Sequence, residues 1–274
     1  MNRFRTIGTV FRKEFTLIMR YPTWIIQIII WPLIFPSMYI LSAIGFSGPD
    51  RSGLKAFSAV TGTPNYVGYI VVGTMLWMWV NSTMWGFGTF LREEQMRGTL
   101  ESNWLCPINK FDYLVGAGLV SMLEALTVNV ISVLEYRFIY RVHFTGNVSY
   151  WLLIFLIMIP GIYGLGCLFA SLVLWAKETN TAVQFVRGLI MMLCGITFPI
   201  AITPLWMQSI SKCIPFTYGI IAARQLMVNG ETLKAASFNI IMCLILGVAI
   251  FVVGRLAFLY TEKRVKNQGA LGRF

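Results

Sequence analysis

Six stretches of this sequence, residues 24–44, 66–90, 113–133, 151–174, 182–202 and 238–260, are long, apolar and almost free of charge. A bilayer crossing needs about 20 apolar residues as a helix. Within lipid, each backbone polar group must be satisfied inside its own segment. A chain built this way is expected to fold as an all-α membrane protein with six transmembrane helices. With 57% hydrophobic and only 12% charged residues over 274 positions, it leaves no room for a soluble domain. We expect one transmembrane unit over 1–274: a surface helix over 1–22, six spans over 23–260, and a cytoplasmic tail over 261–274.

Basic residues set the orientation. Arg3, Arg5, Arg12, Lys13, Arg20, Arg92, Arg97, Lys110, Lys177, Arg187, Lys263, Arg264, Lys266 and Arg273 fall on one side of this topology; Arg51, Lys55, Arg137, Arg141, Lys212, Arg224 and Lys234 fall on the other. The richer side is expected to be cytoplasmic, which puts both termini there in a multi-pass protein of the cell membrane. The net charge of +11 then reads as contact with anionic lipid, and nucleic acid is not needed to explain it. Ala43-Ile44-Gly45 looks like a signal-peptide cleavage site. The apolar run before it is too long for a signal core, so the first span is expected to be retained. The five cysteines are scattered, with no C-x-x-C pair, and read as packing residues.

The first 20 residues alternate as an amphipathic helix does. Phe4, Ile7, Val10, Phe11, Phe15 and Ile18 share one face, with Arg5, Arg12, Lys13 and Arg20 opposite. Such a helix lies in the interface plane or packs partly against the spans. Pro32 and Pro36 in the first span, and Pro160-Gly161 in the fourth, mark kinks or close helix contacts. Between spans five and six, residues 203–230 are too polar to cross and too apolar for a plain loop. Pro204 and Pro215 divide them into two short helices, read either as a re-entrant hairpin or as helices lying flat on the outer surface.

A charged island, residues 92–101, separates two apolar runs. Glu93 to Arg97 and Arg97 to Glu101 are each four apart, and such pairs support a short helix by roughly 0.2–0.5 kcal/mol each. Gly98 sits badly in that helix, at about 1 kcal/mol relative to alanine, and offers close approach to another body in return. The island is expected to be a docking element.

Several chemistries are absent. No lysine follows a glycine, so the chain holds no Walker A loop and cannot be its own P-loop ATPase. A single histidine, His143, rules out the paired-histidine zinc helix and makes a metal site unexpected. No catalytic group is assigned. Within the spans, Glu124 stands out, because a charge at membrane depth is costly and faces a cavity or a structural partner. Met75, Trp77, Met78, Trp79, Met84 and Trp85 crowd the second span. They read as a lipid-facing belt or as the wall of a path for amphipathic molecules.

Six spans, the amphipathic lead, the island ending Gly98-Thr99-Leu100-Glu101, the following Leu105-Cys106-Pro107, and the stretch from Pro215-Phe216-Thr217-Tyr218-Gly219 to Arg224 together resemble the permease of ABC-2-type exporters, over nearly the whole chain. The drug and small-molecule branch is the most similar. The resemblance implies that the island is a coupling helix docking on a separate ABC ATPase subunit, present in two copies, which binds the ATP and magnesium; no cofactor is expected in this chain. It also implies a second permease protomer, in a homodimer or heterodimer. On this reading Glu93, Glu94, Arg97, Thr99 and Glu101 make polar contacts with the ATPase, Met96 and Leu100 anchor it, and Gly98 allows close approach. Glu124, Trp77, Met84, Trp85, Phe198, Phe216, Tyr218 and Arg224 are the candidate substrate path and gate. The expected function is export of a hydrophobic or amphipathic substrate. Export of a lipid-linked glycan, or a channel or membrane-embedded enzyme, are the alternatives.

Overall fold

The structure, a computed structural model, describes residues 3–268 apart from 22, 49, 51, 143, 145 and 177–179. The expectations for His143, Arg51, Lys177 and Arg273 lie outside the described residues. In chain order the helices are α1 (Arg3–Arg20), α2 (Thr23–Phe46), α3 (Ser52–Thr61), α4 (Tyr66–Met96), α5 (Leu100–Leu105), α6 (Lys110–Phe138), α7 (Val148–Ala176), α8 (Asn180–Leu193), α9 (Leu205–Ser211), α10 (Pro215–Met227) and α11 (Leu233–Gln268). No strand occurs among the described residues. Four helices, α2, α6, α7 and α11, are both long and apolar enough to cross a membrane.

The long helix α4 is the centre of the molecule. Asn65 starts it, its side-chain oxygen accepting from the Gly68 amide at 2.8 Å. Residues 68–80 are all buried, because α2, α6, α7, α8 and α10 surround them. Trp79 meets Phe155 edge-on at 4.7 Å and Phe87 meets Tyr163 likewise, so α4 and α7 run in the same direction. Phe90 against Tyr113 and Gly86 against Ser121 run α6 the other way. Helices α7 and α11 are also parallel: Gly161 meets Gly247, Gly164 meets Gly254, and Ser171 bonds Thr261 at 2.7 Å.

The prolines of α2 show how its backbone is satisfied. Pro36 has no amide hydrogen, so the carbonyl four residues earlier loses its helical donor. That carbonyl is Pro32 O, and the Tyr136 hydroxyl of α6 donates to it at 2.9 Å. Tyr140 donates to the neighbouring Leu33 carbonyl at 2.7 Å. These bonds fix α2 on α6.

One expectation for the fold needs correction, and two helical segments were not foreseen. The fifth span, 182–202, is not one continuous helix. Helix α8 ends at Leu193 after 14 residues, about 21 Å of rise against a hydrocarbon core of about 30 Å. Gly195 at φ +64° turns the chain there. The tail is helical as far as Gln268, with Glu262 and Lys266 paired at 2.6 Å. Helix α3 was not expected; it is held by Phe57 against Tyr69 at 5.0 Å.

The stretch 203–230 does form two short helices. Pro215 and Phe216, which open α10, lie beside Gly161 near the midpoint of α7. At its other end Leu226 lies beside Gly146, just before α7 begins. Helix α10 thus rises from half the depth of α7 to its beginning, buried along the way.

Candidate functional site

The charged island is an elbow and not a helix. Helix α4 continues to Met96, and the Gly98 amide bonds Gln95 O at 2.9 Å while the Thr99 amide bonds Glu94 O at 3.0 Å. This pair of bonds closes a helix through a left-handed residue, and Gly98 supplies it at φ +69°. A side chain at Gly98 would meet nothing within 4 Å in this chain, so the glycine is required by backbone conformation. Helix α5 then leaves in a new direction. Arg97 pairs with Glu93 at 2.9 Å and approaches Glu94 at 3.6 Å; it forms no ion pair with Glu101, which the turn carries onto α5.

Neighbours in sequence separate here. Glu93, Arg97, Thr99 and Glu101 are exposed, with Met96 at 77%. Glu94 and Leu100 are buried, at 0% and 2%, which removes them from any docking surface and corrects their expected roles as contact and anchor. The Glu94 carboxylate accepts from Lys13 Nζ at 2.6 Å, Asn103 Nδ2 at 2.6 Å, Tyr113 Oη at 2.7 Å and Thr99 Oγ1 at 3.0 Å. Burial alone would raise this acid, but the Lys13 and Tyr113 hydrogen bonds and the Lys13 charge more than reverse that, so it titrates below its ordinary range. Lys110 closes the far end of α5, donating to Asn103 O at 3.0 Å and Cys106 O at 2.7 Å. Leu105, noted in the sequence only together with Cys106 and Pro107, is the last residue of α5 and is 87% exposed, which makes it a second exposed apolar group at the elbow.

Directly inward of the elbow lies a cavity of about 550 Å³, bounded by Glu14, Tyr21, Trp24, Trp85, Phe90, Glu93 and Glu124. A second, of about 410 Å³, is bounded by Trp24, Trp31, Phe35, Trp77, Asn81, Trp85, Glu124 and Arg187. Glu124, Trp77 and Trp85, expected on a path, are thus brought together around these cavities. Met84 is fully buried and lines neither cavity, because it faces the packed side of α4; its expected place on the path is corrected. Arg187 and Trp24 were not singled out as site residues. The Arg187 guanidinium bonds Asn81 Oδ1 and Gln184 Oε1 and lies 5.2 Å from the Trp85 ring.

Arg224 belongs to a third place, where α10 meets the end of α8. It is buried, and it donates to Tyr69 O at 3.2 Å, Gly195 O at 2.7 Å and Ile196 O at 2.6 Å. Its guanidinium also covers the Tyr69 ring at 3.4 Å. Two of these carbonyls belong to the turn just beyond the end of α8. A side chain at Gly73 would collide with both Ile196 O and Arg224, so this contact needs glycine on α4. Phe216 is buried on α10, Phe198 is half-buried beyond α8, and Tyr218 donates to Lys212 O at 3.1 Å. None of these four residues lines either cavity.

No curated protein matches the chain. A family model described as ABC-2 family transporter protein matches residues 53–256, which takes in the elbow, the Glu124 helix and the Arg224 lock. A membrane protein of packed apolar helices, matched over most of its length, is thereby placed: the chain belongs to the ABC-2 family of transporter proteins.

Proposed function

We propose that the chain is the permease subunit of an ATP-driven exporter, moving a hydrophobic or amphipathic substrate out of the cytoplasm or inner leaflet. It works in the cell membrane with two copies of an ABC ATPase subunit, which bind ATP and magnesium, and with a second permease protomer. The observation that carries this reading is the braced elbow. Met96, Leu105, Glu93, Arg97 and Glu101 are presented to solvent at one end of the bundle, while Glu94 and Lys110 beneath them tie the turn to α1 and α6. A push on this surface is delivered to the helices around the cavities without a flexible joint between.

Six crossings with both termini on one side are supported by helix direction, and the basic residues favour the cytoplasm for that side. Because α7 and α11 are parallel, the chain between them must return across the same layer, and α8 with the stretch leading to α10 is the only segment to do it. The start of α10 at half the depth of α7 favours a re-entrant hairpin over helices lying flat. The hairpin serves as the outer gate, with Phe198, Phe216 and Tyr218 in it and Arg224 as its fastening. Helix α1 lies at the inner interface against α6.

The test uses the chain co-expressed with its ATPase subunit. Met96→Asp with Leu105→Asp changes two fully solvated side chains, so the melting temperature should not move, while ATPase co-purification and substrate-stimulated hydrolysis should fall by at least about tenfold, as for loss of apolar anchors from an interface. Normal co-purification by this double variant would overturn the docking assignment.

A further inference from the structure

Two cavities that share Trp24, Trp85 and Glu124 adjoin, and each offers a space whose volume suits a drug-sized molecule. Their charges are unequal in availability. Arg97 is taken up by Glu93 and Glu94. Arg187 is taken up by Asn81, Gln184 and the Trp85 ring. Lys13 is bonded to Glu94 at 2.6 Å and stands 3.1 Å from Glu14. The Glu124 carboxylate, in the wall between the two cavities, has no hydrogen bond and no ion pair among the described residues. A carboxylate inside a helix bundle is costly unless something answers its charge. The walls beside it are indole rings, whose faces attract cations.

We propose that the space beside Glu124 binds a monovalent organic cation with a bulky aromatic or aliphatic body, its charged centre at Glu124 and its body against Trp24, Trp31 and Trp85. An anion of the same shape meets Glu14, Glu93 and Glu124 in the first cavity, whose one lining cation, Arg97, is already paired with Glu93 and Glu94; Arg187, bonded to neutral partners, lines only the second cavity and offsets part of the Glu124 charge there. A neutral molecule leaves Glu124 unanswered. The proposal rests on the exporter reading only in naming this cation as cargo; the binding site itself does not depend on it.

Tetraphenylphosphonium and tetraphenylborate have nearly the same shape and opposite charge, so they test the site directly. Equilibrium dialysis against the purified, detergent-solubilised chain should show the cation bound at least about tenfold more tightly, the scale of one charge-assisted contact. Glu124→Gln should abolish that preference, and Glu124→Asp should keep most of it, with both variants melting like the parent. Equal affinity of the parent chain for the two ions, or an unchanged preference in Glu124→Gln, would overturn the proposal. Vesicles carrying the chain with its ATPase separate this from the exporter reading. Charge-selective binding without ATP-driven movement of any compound sinks the exporter and leaves the site. ATP-driven movement of other compounds without charge-selective binding sinks the site and leaves the exporter.

Discussion

Glu94 and Glu124 stand on neighbouring helices, α4 and α6, and they have opposite surroundings. Glu94 collects donors from four places, Lys13 of α1, Thr99 of the turn, Asn103 of α5 and Tyr113 of α6. Glu124 collects none. A buried carboxylate surrounded by donors holds elements together; one left without them is held open for something outside the chain. The two are indistinguishable by residue type, so the contrast must be tested by removing each charge in turn.

Glu94→Ala should give the largest effect. It leaves Lys13, Asn103 and Tyr113 without their common acceptor; Lys13 is 40% exposed and its share is screened, so the loss comes chiefly from the hydrogen bonds to a charged acceptor and should be about 3 kcal/mol or slightly more. The melting temperature in detergent measures it; a melt unchanged from the parent would erase the contrast with Glu124. Acid makes the same point without mutation. Glu94 lies past the apolar part of α4 and titrates below its ordinary value of 4.5. A depressed acid contributes stability that is fully present above its unfolded value and is lost as pH falls through its folded one. The parent chain should therefore lose stability as pH drops below about 4.5, and Glu94→Gln should flatten that part of the curve.

Next in size is Arg224→Met, which extends the comparison to a buried cation. The carbonyls of Tyr69, Gly195 and Ile196 would lose their donor, at about 1–3 kcal/mol for each group left unsatisfied. The three share one site and relax together, so the total should be about 3 kcal/mol, nearer one full loss than three. Gly73→Ala should produce the same phenotype, since its methyl group displaces the same guanidinium. A mild Gly73→Ala beside a severe Arg224→Met would mean that the lock is not where α4, α8 and α10 meet.

The helical plan was legible because hydropathy reads length and apolarity, and runs such as 113–133 and 151–174 have both. Hydropathy could not see the end of α8. Residues 182–202 are largely apolar, Gln184 and Arg187 being the strongly polar exceptions, with no proline before Pro199; the helix stops where Gly195 turns left-handed, and Arg224, some thirty residues later, takes the carbonyls of that turn. The island was legible as polar and special, but its division was not. Glu93 and Glu94 are adjacent; which of them faces solvent is set by the phase of α4 against α1 and α6, and that is a tertiary fact. Gly98 reads as an interior misfit because the Glu93–Arg97 and Arg97–Glu101 spacings continue the helical period across it and no proline follows until Pro107. Glu124 was legible as a charge at depth, while its lack of a partner emerges only when Arg97 and Arg187 are seen to be committed elsewhere.

A smaller effect is expected at the elbow itself. Gly98→Ala forces a side chain into a left-handed conformation at a cost of about 1 kcal/mol, with no clash to add to it. Gly98→Asn should cost less, because asparagine tolerates that region. If Ala and Asn are equally harmful to transport while the melt barely moves, the glycine is needed for the approach of the ATPase and not for the turn.

The smallest change in stability should come from Glu124→Gln, within about 0.5 kcal/mol of the parent or slightly stabilising. Nothing among the described residues donates to this carboxylate, so the variant abandons no partner there, and replacing a charge by an amide lowers the cost of holding the group among Trp24, Trp85 and Val128. Stability and function should thus part company across the pair: at Glu94 the loss of charge is felt first in the melt, and at Glu124 it is felt first in ligand binding. A Glu124→Gln melt lowered by as much as that of Glu94→Ala would show that Glu124 has a structural partner after all, and the distinction between a carboxylate that braces and one that waits would fall.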